Sequence, residues 1–194
     1  MTRLEKRTTP LTLTTHAIVG GAIASLIPAH PWLGLSLAFA SHFLLDALPH
    51  WDYPIRSSSI KPEVAARMKY DGALFADLFT IGGDAALGIV VAVALFNAQM
   101  PASYLLALGG ACAGILPDAL QFAYMRFPHQ PLTCIQQFHE WIHTTRRMSK
   151  RPVLGITSQI ALIIAFILAV QPLLAAQTPR NESPFQVTAA HSRR

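Results

Sequence analysis

Five long apolar stretches constrain this chain more than any other feature: Leu11 to Ile27, Pro31 to Leu48, about Leu74 to Met100, Ala102 to Phe122 and Val153 to Ala176. Each is close to the ~17 to 25 residues that a helix needs to cross a bilayer. They predict an all-α, polytopic membrane bundle of four or five transmembrane helices. The first stretch is the weakest span, because Thr12, Thr14, Thr15 and His16 occupy its beginning. Its Gly20, Gly21, Ala22 and Ala24 suit close packing against another helix better than exposure to lipid. A length of 194 residues fits one domain, and 52% apolar against 13% charged is too greasy for most soluble proteins of this size. The domain is expected over residues 1–176, followed by a polar, proline-bearing, aperiodic tail over 177–194 that reads as disordered.

Two other readings compete for the same pattern. Arg3, Lys6 and Arg7 before an apolar segment resemble the start of a signal peptide, but no A-x-A-like site follows, and Pro28 and Pro31 flank the place where cleavage would fall. A soluble helical domain with a very apolar core is the second. Against it, Ile160 through Val170 carries no polar residue and leaves no solvated stripe.

Basic residues orient the helices. If five spans alternate, twelve of the fifteen Lys and Arg residues share one side, with the N-terminus, the loop around Lys61 and the loop around Arg147. Only Arg180, Arg193 and Arg194 of the tail lie opposite. The positive-inside rule makes the crowded side, and with it the N-terminus, cytoplasmic. The net charge of +5 then reports topology and attraction to anionic headgroups, and no nucleic-acid partner is implied. Cys112 and Cys134 form no C-x-x-C pair, so neither a disulfide nor a thiolate zinc site is indicated.

The chemistry-bearing residues gather at one depth. His42 and Asp46 stand one helical turn apart and share a face at the end of the second stretch; Pro49 then ends the helix and places His50 and Asp52 on the capping turn. His16 begins the first stretch, and Asp118 lies behind Pro117 in the second half of the fourth. His139 and His143, four apart, follow in the next loop. Asp84 sits well inside the third stretch, where an unpaired carboxylate costs at least ~2.5 kcal/mol and so needs a cation, a partner or a proton. Inward side chains from facing helices build metal sites in this way, although a hydrogen-bonded clamp on a helix end would draw on the same residues. His139-Glu140-Trp141-Ile142-His143 also fits H-E-x-x-H, the zinc metalloprotease helix. The basic residues Arg146, Arg147, Lys150 and Arg151 follow at once, so the segment reads instead as an interfacial amphipathic helix with Phe138, Trp141 and Ile142 at headgroup level.

Thr15-His16-Ala17-Ile18-Val19-Gly20, His42-x-x-x-Asp46, Pro49-His50-Trp51-Asp52, Gly114-Ile115-Leu116-Pro117-Asp118 and Phe138-His139-x-x-x-His143-Thr144 together resemble the bacterial membrane-bound metal-dependent hydrolases. That family is distantly related to zinc-dependent phospholipase C and its allied nucleases. The resemblance implies a helical core with a divalent metal cluster held by His16, His42, Asp46, His50, Asp118, His139 and His143. Asp52 and Asp84 would support the ligands or orient water. Two features depart from the family: no arginine follows His139, and Met1 has no counterpart to the phospholipase's N-terminal tryptophan ligand. Zinc suits the His/Asp mixture best, with manganese or iron as alternatives. The implied activity is hydrolysis of a phosphoester in a lipid or membrane-associated substrate. A metal or proton transporter lined by Asp84 and Asp118 and a membrane zinc metalloprotease are the competing readings.

Overall fold

The computed structural model describes residues 12–50, 71–96, 101–142 and 152–177. These residues form six helices and no strand: α1 (Leu13–Leu26), α2 (Pro31–Asp46), α3 (Gly72–Phe96), α4 (Pro101–Arg126), α5 (Leu132–Ile142) and α6 (Pro152–Gln177). Three of them, α3, α4 and α6, are long and apolar enough to cross a membrane. At 14 and 16 residues, α1 and α2 are shorter, about 21 and 24 Å against a hydrocarbon core of about 30 Å. Gln177 closes α6 and donates from Nε2 to the Leu26 carbonyl, so the final helix reaches one residue past the expected boundary of the tail. The remainder of that tail, residues 178–194, lies outside the described residues.

The bundle is built around one of its shorter helices. Eleven of the fourteen residues of α1 are buried, and α1 touches α2, α3, α4 and α6. Small residues make this possible. A Cβ added to Gly110 would meet the Gly20 carbonyl, one added to Gly114 the His16 carbonyl, and one added to Gly88 the Thr14 Cα at 2.6 Å. Backbones this close leave room for no side chain between them, the arrangement by which helices associate where the hydrophobic effect gives no drive. The sequence-based reading of Gly20, Gly21, Ala22 and Ala24 as a packing surface thus matches the helix they form.

The same contacts set direction. Gly88 and Ala92 of α3 meet α1 in increasing order, whereas Gly110 and Gly114 of α4 meet it in reverse. Gly34 of α2 lies against Ala24, and the far end of α2 reaches His16, so α2 also runs opposite to α1. Near the other end of the bundle, Gln171 of α6 donates to the Leu95 carbonyl. The starts of α1 and α3 and the ends of α2 and α4 therefore share one end of the bundle, and α5 follows at that end.

The core is Ala17, Ile18 and Ala22 with Ala92, Phe96, Ala107, Ala111, Val170 and Leu174. Larger apolar side chains point outward instead: Trp32, Phe79, Leu105 and Leu168 are all more than 60% exposed. Small residues inside and large apolar ones outside suit a hydrocarbon solvent, and such a contiguous apolar exterior is foreign to a soluble monomer.

A candidate metal centre at the end of the bundle

Four helices deliver ionisable side chains to one volume. His42 and Asp46 hold the i, i+4 relation the spacing predicts, with Nε2 and Oδ2 3.1 Å apart. The Nε2 of His139, from α5, lies 2.6 Å from the same oxygen and 3.4 Å from His42 Nε2. From α1, His16 Nε2 approaches Asp46 Oδ1 at 3.3 Å, and its ring stacks on His42 with centroids 4.0 Å apart. Asp118 of α4 brings Oδ1 to 3.7 Å from His42 Nε2. His16, His42 and Asp46 have no solvent exposure at all, and His139 and His50 are nearly as buried. Phe43 packs edge-on against His42, His139 and Phe138 and screens one flank with hydrocarbon.

The proton on His42 can be placed by chemistry. Its Nδ1 lies 2.8 Å from the Gly114 carbonyl, which can only accept, so Nδ1 carries the hydrogen. In the neutral ring, Nε2 then presents a lone pair towards Asp46 Oδ2, another lone-pair atom. Two acceptors 3.1 Å apart in a dry site repel unless a cation or an added proton lies between them. A ligating histidine tied through its other nitrogen to a backbone carbonyl is the usual support of a metal site. His50 repeats the pattern, with Nδ1 2.7 Å from the Leu48 carbonyl, and it lies near enough to His16 for their charges to interact.

The spacings suit a cation. Tetrahedral ligands at ~2.0 to 2.1 Å from a metal stand about 3.3 Å from one another. Within the group of His42, Asp46 and His139, the 3.1 and 3.4 Å separations match that edge, and the 2.6 Å His139–Asp46 contact would open on binding. Two ligand groups meet at His42: His42 with Asp46 and His139, and His42 with His16 and Asp118. Both ring nitrogens of His16 and Oδ1 of Asp46 are buried without a hydrogen bond among the described residues, which is costly for polar atoms in an apolar interior.

No family model, curated protein or solved structure matches this chain. The case for the site therefore rests on its own residues.

Five of the residues read from the sequence as ligands, His16, His42, Asp46, Asp118 and His139, converge here, and His50 is buried beside them. Asp52 and His143 lie outside the described residues. Asp84 goes elsewhere. Its carboxylate accepts hydrogen bonds from the Leu13 amide and the Thr14 hydroxyl and so closes the N-terminus of α1, where the otherwise unpaired amides and the helix dipole favour an anion. It supports the site only by fixing the helix that carries His16. Asp84→Ala is expected to cost about 1 kcal/mol, as loss of a capping group does, with metal content unchanged; thermal unfolding and elemental analysis of the same preparation check both.

Gly114 was not legible as a site residue on its own. Its carbonyl orients His42 while its missing Cβ admits the His16 backbone. The nearest signal is Pro117, whose missing amide removes the helical donor of the Ala113 carbonyl, next to Gly114, and so loosens the ladder there.

Proposed function

We propose that this protein is an inner-membrane hydrolase whose His/Asp cluster holds a divalent cation, zinc by preference, and acts on a phosphoester of a lipid or other membrane-associated substrate. The observation that carries the metal is the His42 Nε2 lone pair, fixed by the Gly114 carbonyl and aimed at Asp46 and His139. His42, Asp46 and His139 would hold the cation, with His16 and Asp118 able to complete that sphere or a neighbouring one. A divalent cation held there would supply Lewis acidity, making water more acidic and stabilising charge on phosphoryl oxygens. The chain's own residues supply the rest: Gly114 keeps His42 in one tautomer, Phe43 excludes water from one flank, and the buried Asp46 carboxylate offsets cationic charge.

Hydrolase chemistry is supported by the resemblance of these same motifs to membrane-bound metal-dependent hydrolases. Two placements favour it over its rivals. The transporter reading needs Asp84 along an ion path, and its carboxylate is committed to the start of α1. The metalloprotease reading needs Glu140 beside the metal, yet Glu140 is exposed and accepts a hydrogen bond from Gln136 while His139 turns inward.

In this reading α1 and α2 complete a five-span bundle with α3, α4 and α6, the cluster faces the cytoplasm, and α5 lies at the membrane surface. The outward Phe138 and Trp141 of α5 belong at that interface. Reporter fusions are expected to place Lys61 and Arg147 in the cytoplasm and Arg194 outside; a cytoplasmic Arg194 contradicts the five-span topology. The activity itself is tested by release of a phosphorylated or dephosphorylated product from radiolabelled inner-membrane lipids, dependent on added zinc or manganese and absent in Asp46→Ala.

A further inference from the structure

We infer that the cluster takes one cation at a time, in two seats that share the His42 Nε2 lone pair: an entry seat of His16, His42 and Asp118 and a resting seat of His42, Asp46 and His139. The inference rests on the metal site proposed above and adds how an ion reaches it.

The five ligands do not surround one point. They fall into two groups, each with its ligand atoms within 4.8 Å of one another, and His42 belongs to both. Ligands on one ion, at ~2.0 to 2.1 Å from it, stand no more than about 4.2 Å apart. Since the five do not form one such group, a single position does not serve them all.

His42 cannot serve both seats at once. Its Nδ1 is tied to the Gly114 carbonyl at 2.8 Å, which leaves Nε2 as its ligating atom. That atom lies 3.1 Å from Asp46 Oδ2 and 3.7 Å from Asp118 Oδ1, and one lone pair binds one cation. Charge gives the same count. Among the described residues the two groups contain two carboxylates, Asp46 and Asp118, which together balance one divalent ion. A second ion would leave uncompensated positive charge beside His16, His42 and Asp46, which have no solvent exposure.

Exposure sets the order of the seats. A tenth of the Asp118 side chain is exposed, against 4% for His139 and none for His16, His42 or Asp46. The resting seat also lies against the Phe43 ring, which packs edge-on on both His42 and His139. An ion therefore meets Asp118 first. His16 supplies the next donor, since its two ring nitrogens are buried without a hydrogen bond and one of them carries a lone pair. His16 Nε2 also stands 3.3 Å from Asp46 Oδ1, so the seats are contiguous and the passage between them runs over nitrogen and oxygen donors throughout.

The test follows zinc exchange with a chromophoric chelator by stopped flow, using the full chain in detergent. A seat used only in transit lowers the barrier and leaves both end states alone, so its loss slows uptake and release equally. His16→Leu removes both nitrogens without changing charge. It is expected to slow both steps by about tenfold or more and to keep the dissociation constant within about threefold. His16→Phe, which retains a ring against His42, should behave alike. A dissociation constant raised about 100-fold with faster release would make His16 a ligand of the resting ion and overturn the order of seats, as would unchanged rates. The count is read on the unaltered chain. Manganese added to metal-free protein should saturate at one ion per chain with an uncoupled electron paramagnetic resonance spectrum; two exchange-coupled ions would overturn the shared lone pair. The two readings fail differently: uptake of neither zinc nor manganese removes the metal site itself, whereas one bound ion with unchanged exchange rates in His16→Leu removes the entry seat alone.

Discussion

His42→Ala and Asp46→Ala are each expected to abolish metal binding, with affinity down by more than about 100-fold, and to bring the proposed hydrolytic activity to background. The size follows from position. Disturbing a group that merely orients a ligand costs about 10- to 100-fold, and these substitutions remove the ligand atom itself. Asp46 is the harsher case because one carboxylate faces His16 through Oδ1 and both His42 and His139 through Oδ2. Elemental analysis and a competition titration with a chromophoric chelator measure the loss, and circular dichroism verifies that the helices persist. Glu140→Gln serves as the contrast. Its side chain is exposed and bonded to Gln136, so metal binding and the proposed phosphoesterase activity are both expected to survive the change. If Glu140→Gln alone destroys activity, and that activity is peptide cleavage, the H-E-x-x-H chemistry is the right one. A clamp without metal predicts a third pattern, destabilisation by about 3 to 5 kcal/mol on removing one buried partner with no metal or activity to lose.

Gly110→Val prevents the bundle from closing. The missing Cβ of Gly110 stands against the Gly20 carbonyl and 2.5 Å from Ala24 Cβ, so a side chain there must push two backbones apart. Backbone cannot rotate out of the way as the end of a flexible side chain can, and the cost is about 3 kcal/mol or more, the upper end of overpacking. The damage is not local. Gly110 and Gly114 lie on the same face of α4, one turn apart, and Gly114 is the residue that couples His42 to α4. Separation of α1 from α4 therefore draws His16 away from His42 and Asp118. The expected result is a lower unfolding midpoint in detergent together with reduced metal occupancy, whereas Gly83→Val, at a position with open space around the missing Cβ, leaves both nearly unchanged.

Much of this site is visible in the primary structure because helices impose fixed spacing. His42 and Asp46 share a face wherever a helix covers them, and the common depth of His16, Asp118 and His139 follows once alternating spans are assumed. Partner choice is less accessible. Asp84 and Asp118 look alike in sequence, each an acid inside an apolar run. Their fates differ because α1 begins opposite Asp84, where its first amides need an acceptor, and Asp118 follows the turn that faces α2. That distinction depends on which helices are neighbours and at what stagger. The role of Gly114 was hidden for a different reason, since a backbone carbonyl has no residue-type signature. The first two helices are shorter than the apolar stretches that contain them. Hydropathy runs through Leu11 to Ile27, but Thr12 stands outside α1 and Ile27 beyond its last turn, which leaves a short buried helix at the centre.

Metal content of the intact protein, purified in detergent without chelators and measured by inductively coupled plasma mass spectrometry, tests the central claim most directly. About one or more zinc, manganese or iron ions per chain are expected, lost on dialysis against a strong chelator and regained on adding zinc, because His42 and Asp46 of α2 and His139 of α5 converge and the Gly114 carbonyl holds His42 in one tautomer. A chain that carries no metal as purified and takes up none from zinc or manganese solutions, while remaining folded, would contradict it.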